Sequence, residues 1–144
     1  MTTAQNDPPI LLVEDNLDDV ELTMRAFSKA RLANPIIVAS DGVEALQHLL
    51  PENGAAPLQP ALVLLDLNLP RVAGLDVLRR MRADSRTRIT PVVVLTTSSH
   101  QRDIVDSYAL GCNSYLTKPV DFGEFIEAAA TLGLYWLALN RLPV

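Results

Sequence analysis

The chain has 144 residues, enough for one domain of ordinary size with a real core. With 49% hydrophobic residues, 20% charged residues and only 6 glycines, it is neither disordered, collagen-like nor a disulfide scaffold. Lys and Arg number 12 against 17 Asp and Glu, and the formal charge of −5 is a poor footprint for nucleic acid or an anionic membrane surface. A single cysteine, Cys112, allows no internal disulfide, and with only His48 and His100 beside it there is no zinc set. A reducing cytoplasm is therefore the expected setting. The stretch Met1 to Pro9 is polar, without the basic and apolar regions of a signal peptide. No uncharged run reaches the roughly 20 residues of a membrane span.

In chain order, the apolar run Ile10 to Val13 comes first, too short for a helix and without polar alternation. Leu17, Val20, Met24, Phe27 and Arg31 then follow a helical rhythm. Ile36 to Ala39 is a weaker apolar run. Asp41 precedes Glu44 by three residues, a capping-box spacing that starts a helix carrying Val43, Leu46, Leu49 and Leu50. Ala61 to Leu65 and Pro91 to Leu95 are again short and wholly apolar, and Leu75, Leu78 and Met81 mark the helix between them. A helix starts near His100, Ser114 to Leu116 is the faintest strand, and Asp121 with Glu124 caps the last helix. Strand and helix alternate five times, which predicts an α/β fold: an open parallel sheet, buried on both faces, with right-handed crossovers.

In such a sheet the ligand site lies beyond the carboxyl ends of the strands. Glu14 and Asp15 follow the first strand, Asp66 the third, Thr96 and Thr97 the fourth, and Lys118 and Pro119 the fifth. Each alone has an ordinary explanation as a cap, a strand end or a solvated loop charge. Together they form a chemical set. Carboxylates 4 Å apart repel by about 4 kcal/mol per pair at an effective dielectric near 20, so a cation belongs among them. Oxygen donors without His or Cys favour Mg²⁺. A divalent ion, a lysine and a hydroxyl suit the equatorial oxygens of a phosphoryl group, with an aspartate as ligand or as nucleophile.

The segments Ile10–Asn16 (ILLVEDN), Val63–Pro70 (VLLDLNLP) with Gly74, Val93–Ser98 (VVLTTS) and Ser114–Pro119 (SYLTKP) resemble the motifs of two-component response-regulator receiver domains. The resemblance implies a flavodoxin-like sheet of order 2-1-3-4-5 and a receiver unit over residues 10–137, between a tail of residues 1–9 and an extension of residues 138–144. It implies that Asp66 accepts a phosphoryl group from a sensor histidine kinase. Asp15, with Glu14 and Asp66 and the Asn68 carbonyl, would then hold Mg²⁺. Thr96 and Lys118 would bind the phosphoryl oxygens, and Tyr115 would be the aromatic switch. A cis bond between Lys118 and Pro119 is also implied. The acidic pair Glu14-Asp15 departs mildly from the two aspartates of the family pattern.

The tail YWLALNRLP, with LTTS and NLPR, further resembles stand-alone receivers that partner phytochrome kinases, so a bacteriophytochrome is the expected donor class and a homodimer the expected assembly. Residues Ala128 to Asn140 carry no charge. A stripe of Phe122, Phe125, Ile126, Ala129, Leu132 and Trp136 is expected to face the sheet, leaving Leu134, Tyr135, Leu139 and Leu142 for a protein interface. Six arginines between Arg71 and Arg88 read as a solvated helix face or an acidic-partner contact. His48 and His100 read as structural or solvated, and Cys112 as packing. Two rival functions are a receiver-like interaction module acting without phosphorylation and a Mg²⁺-dependent phosphohydrolase. For the latter, Asn68 stands where a haloacid-dehalogenase pattern has a second aspartate.

Overall fold

The computed structural model describes residues 7–141 and residue 143. Five strand and helix pairs follow one another: β1 (Ile10–Val13), α1 (Leu17–Lys29), β2 (Ile36–Ala39), α2 (Gly42–Leu49), β3 (Leu62–Leu65), α3 (Gly74–Ala83), β4 (Val92–Thr96), α4 (Gln101–Ala109), β5 (Ser114–Thr117) and α5 (Phe122–Leu134). A π-helical turn, Tyr135–Leu139, continues α5. All five strands are parallel in the order β2-β1-β3-β4-β5. The order explains the sequence: β1, β3 and β4 are central and wholly buried, whereas β2 and β5 lie at the edges and are largely half-buried.

Alternation within the strands makes two cores. Leu11, Val13, Val63, Leu65, Val92 and Val94 pack with Leu46 and Leu49 of α2 and Val77, Leu78 and Met81 of α3. Ile10, Leu12, Leu62, Leu64, Val93 and Leu95 pack with Val20, Ala26 and Phe27 of α1 and Phe125, Ala129 and Leu132 of α5. Gly133 lets α5 close on α1, since a Cβ there would stand 2.7 Å from Leu32 Cδ1 and 3.1 Å from Phe27 Cε1.

The helix starts are chemically marked. Asn16, Asp41 and Asp121 each accept the backbone N–H three residues on, as N-caps do. The Asp41 box closes differently from the expected pattern, because Glu44 accepts from the N–H and hydroxyl of Ser40 instead.

Three expectations are corrected. On α1, Leu17 and Met24 are exposed and Arg31 lies beyond the helix at φ 57°; Leu22, Thr23 and Ala26 are buried instead, because packing against α5 sets the helix rotation. Thr23 tolerates burial because its hydroxyl donates to the Asp19 carbonyl at 2.8 Å. Phe122 is 68% exposed rather than facing the sheet, since it stands at the mouth of α5 just past its cap. Leu134, Tyr135 and Leu139 are exposed as expected, and Leu142 lies outside the described residues. The α5 helix with its π turn is 18 residues long with a mean hydropathy of 1.2, long and apolar enough to cross a membrane by length and composition alone. It includes Glu124 and Glu127, and its Phe125, Ala129 and Leu132 belong to the core.

The third correction concerns Arg82, which is no solvated residue. Its Nε donates to Gly111 O at 2.9 Å, and Nη1 lies within hydrogen-bond distance of the carbonyls of Thr87, Arg88 and Thr90. Nη2 donates to Asn113 Oδ1 at 3.1 Å, and that same oxygen accepts the Val92 N–H. One guanidinium thus ties the α3–β4 connection to the α4–β5 turn. Replacing Arg82 with Ala should lower unfolding free energy by about 2–4 kcal/mol in urea denaturation, because several carbonyls lose their donor together. Arg80→Ala, on the exposed side of the same helix, should change it by less than about 0.5 kcal/mol; equal effects would refute this role for Arg82.

Candidate functional site

The parallel ladder itself places the chemistry. Just past each strand's last residue, a backbone N–H continues the hydrogen bonding: Glu14 donates to Ala39 O (2.9 Å), Asp66 to Val13 O (3.1 Å) and Lys118 to Thr96 O (2.7 Å). The side chains after β1, β3 and β5 are therefore fixed at one edge of the sheet, with Thr96, fully buried, as the last residue of β4. Gly74 completes the support. Its N–H donates to Leu67 O at 3.1 Å, and a Cβ there would lie 2.3 Å from Asp66 O, so only glycine allows α3 to begin this close to Asp66.

Lys118 is the electrostatic centre. Its buried ammonium donates to Glu14 Oε1 at 2.5 Å and Asp19 Oδ2 at 2.8 Å, with Asp66 Oδ2 at 3.4 Å. Burial works against the charged ammonium, but its hydrogen bonds to Asp19 and Glu14 and the charge of Asp66 outweigh it, holding Lys118 above the ordinary lysine value. Burial is also the main influence on Glu14, pushing its carboxyl up to about 7 against the opposing pull of Lys118. The ammonium is thus firmly charged, and three carboxylates converge on this one cation.

Asp15 is exposed beside this cluster. Glu14, Asp15 and Asp66 each offer a carboxylate oxygen, and these oxygens all lie within 4.8 Å of one another. An all-oxygen donor set of that size fits a hard divalent cation such as Mg²⁺ or Mn²⁺. Asn68 is exposed, and its N–H lies 3.3 Å from Asp66 Oδ1, close enough to steady the carboxylate. Tyr115 is half-buried, and its hydroxyl donates to Ser98 O at 2.8 Å, tying β5 to the loop that leaves Thr96.

The structure thus brings Glu14, Asp15, Asp66 and Lys118 into one cluster, with Thr96 beside it and Tyr115 one loop away. The Lys118–Pro119 bond is trans, contrary to the implied cis form; trans is the preferred isomer of an X-Pro bond, and the Lys118 N–H is held by the sheet ladder. Two participants escaped the sequence reading. Asp19 looks there like any acid in a first helical turn, and only the reach of Lys118 across the sheet reveals it. Ser98, whose hydroxyl donates to Asp103 Oδ2 at 2.5 Å, had no signal beyond its place after Thr96.

Comparison with known proteins agrees with this geometry. Residues 10–130 match the model of the response regulator receiver domain. The chain is 42% identical over 134 residues to the probable methanogenesis regulatory protein FilR2 of Methanothrix harundinacea, covering 93% of this chain and 86% of that protein. The crystal structure of the phosphorylated cyanobacterial phytochrome response regulator RcpA superposes with a TM-score of 0.86 at 34% identity, covering 95% of this chain and 99% of the other. The Mn²⁺-bound form of response regulator Rcp1 of Synechocystis superposes at 0.87 and 33% identity, with the same coverage. By sequence, fold and the acidic cluster at its sheet edge, the chain belongs to the response regulator receiver family, and its relatives include the single-domain regulators of the phytochrome-associated group.

Proposed function

We propose that Asp66 is the phosphoacceptor of a two-component relay. The observation that carries this reading is the Asp66 carboxylate, buried 3.4 Å from the Lys118 ammonium and within 4.8 Å of oxygens from Glu14 and Asp15. A carboxylate oxygen of Asp66 attacks the phosphorus of a phosphohistidine. The P–N bond breaks, an O–P bond forms, and the departing imidazole takes up a proton. Lys118 and the Thr96 hydroxyl then donate to the phosphoryl oxygens. Glu14, Asp15, Asp66 and the Asn68 carbonyl would hold Mg²⁺, which supplies charge neutralisation between the incoming phosphoryl oxygens and the acidic cluster.

Thr96 and Tyr115 form the switch in this reading. The added charge of about −1.5 to −2 draws Thr96 and Lys118 inward, and the loop carrying Ser98 and Tyr115's hydrogen bond follows. The receiver unit spans residues 10–137, and the donor is a histidine kinase of the cytoplasm. The likeness to RcpA supports a phytochrome-type kinase. A homodimer through the C-terminal helix is the proposed assembly, supported by the exposure of Leu134, Tyr135 and Leu139 along its outer side.

Incubation with a phosphorylated histidine kinase and Mg²⁺ should transfer radiolabel to the wild type and not to Asp66→Asn; label retained by that variant would remove the assignment. Sedimentation of the wild type should give a mass near twice the 15.7 kDa of one chain. Changing Leu134, Tyr135 and Leu139 together to Ser should return it to the single-chain value, and an unchanged mass would refute the interface.

A further inference from the structure

Building on the reading of Asp66 as phosphoacceptor, we infer that Asp19 is a positioning residue that competes for Lys118 and so sets how readily a phosphoryl group is held. An ammonium has three N–H donors. Those of Lys118 are directed at Glu14 (2.5 Å), Asp19 (2.8 Å) and Asp66 (3.4 Å), and the last contact lies beyond the usual hydrogen-bond range. The residue that must grip the phosphoryl oxygens therefore rests on two other carboxylates, with Asp66 only loosely held. Its third N–H is free to turn to a phosphoryl oxygen, but Nζ is anchored by the two shorter contacts, and drawing it within full hydrogen-bond distance of a group on Asp66 lengthens one of them.

The two are not equally releasable. Glu14 is buried, and without Lys118 its carboxylate would keep only the Asn16 N–H as a hydrogen-bond partner, a costly state for a charge out of water. The Asp19 side chain is 20% exposed and sits in the first turn of α1, where water and the helix N-terminus both accommodate a free carboxylate. Its backbone is pinned, with its N–H on the Asn16 cap and its carbonyl accepting from Thr23. The carboxylate is thus held within reach of Lys118, and giving it up costs less than giving up Glu14 but is still a cost set against the phosphoryl group. Without Asp19, Lys118 has no partly exposed carboxylate to leave, and the phosphorylated arrangement gains.

The test is calorimetric titration of the full chain with beryllofluoride in the presence of Mg²⁺, and with Mg²⁺ alone. Asp18→Asn is the control, since Asp18 is an exposed carboxylate one residue away that makes no contact with Lys118. Asp19→Asn and Asp19→Ala should bind beryllofluoride about tenfold tighter than Asp18→Asn, while affinity for Mg²⁺ alone stays within about twofold of that control. Asp19→Glu should return beryllofluoride affinity toward the wild-type value. Beryllofluoride affinity equal to that of Asp18→Asn, or weaker, overturns the role of Asp19 while leaving Asp66 as acceptor. A wild type that does not bind beryllofluoride at all defeats the acceptor reading itself, and the Asp19 role with it.

Discussion

One ammonium among too many carboxylates is the constraint on which the functional edge of this protein depends. Glu14, Asp19 and Asp66 all turn toward Lys118, and Asp15 stands beside them. Buried ion pairs rarely stabilise a fold on balance, because desolvation consumes most of the Coulombic gain. Here three carboxylates share one ammonium, and burial raises the Glu14 carboxyl in spite of that partner. A fold that holds such a cluster in place therefore spends stability on it, and the resulting all-oxygen set suits a hard divalent cation.

The sheet bears that cost. Backbone hydrogen bonds fix Glu14, Asp66 and Lys118 one residue beyond their strands, and the strands are locked by two apolar cores, one on each face. The backbones of Glu14 and Asp66 cannot move apart without breaking the parallel register. Gly74 adds a second restraint from below, pressing the start of α3 against the Asp66 carbonyl. Rigidity of this kind is what lets a few side chains be held in a high-energy arrangement.

Much of this was legible in the sequence, and the reasons for success and failure are physical. Central strands buried on both faces read as unbroken apolar runs, so β1, β3 and β4 stood out, while the edge strands β2 and β5 were fainter. The clustering of the candidate site residues was legible because strand ends put Glu14, Asp66, Thr96 and Lys118 at one edge whatever their rotamers. The buried face of α1 was not, since its rotation is decided by α5, more than 90 residues away in the chain. Arg82 and Asp19 were invisible for a related reason. A long side chain reaching 29 or 99 residues along the sequence leaves no local periodicity, so a clamp and a carboxylate partner both looked like surface charge.

The same edge has a soft side. Of the α4 residues only Ser107 is buried, and its hydroxyl is the one buried side-chain polar atom without a hydrogen-bond partner among the described residues. The helix is held instead through the loop before it, where Ser98 bonds Asp103 with its hydroxyl and Tyr115 with its carbonyl, two residues from Thr96. A helix with so little core contact is the element whose displacement costs least. In the proposed relay, moving a two-state element from 1:99 to 99:1 would take about 5.5 kcal/mol, on the scale of two or three charge-assisted hydrogen bonds to a phosphoryl group. Because Ser107 is the one buried residue of α4 and Ser98 bonds both Thr96 and Asp103, a displacement of Thr96 in the proposed relay would reach the helix through Ser98.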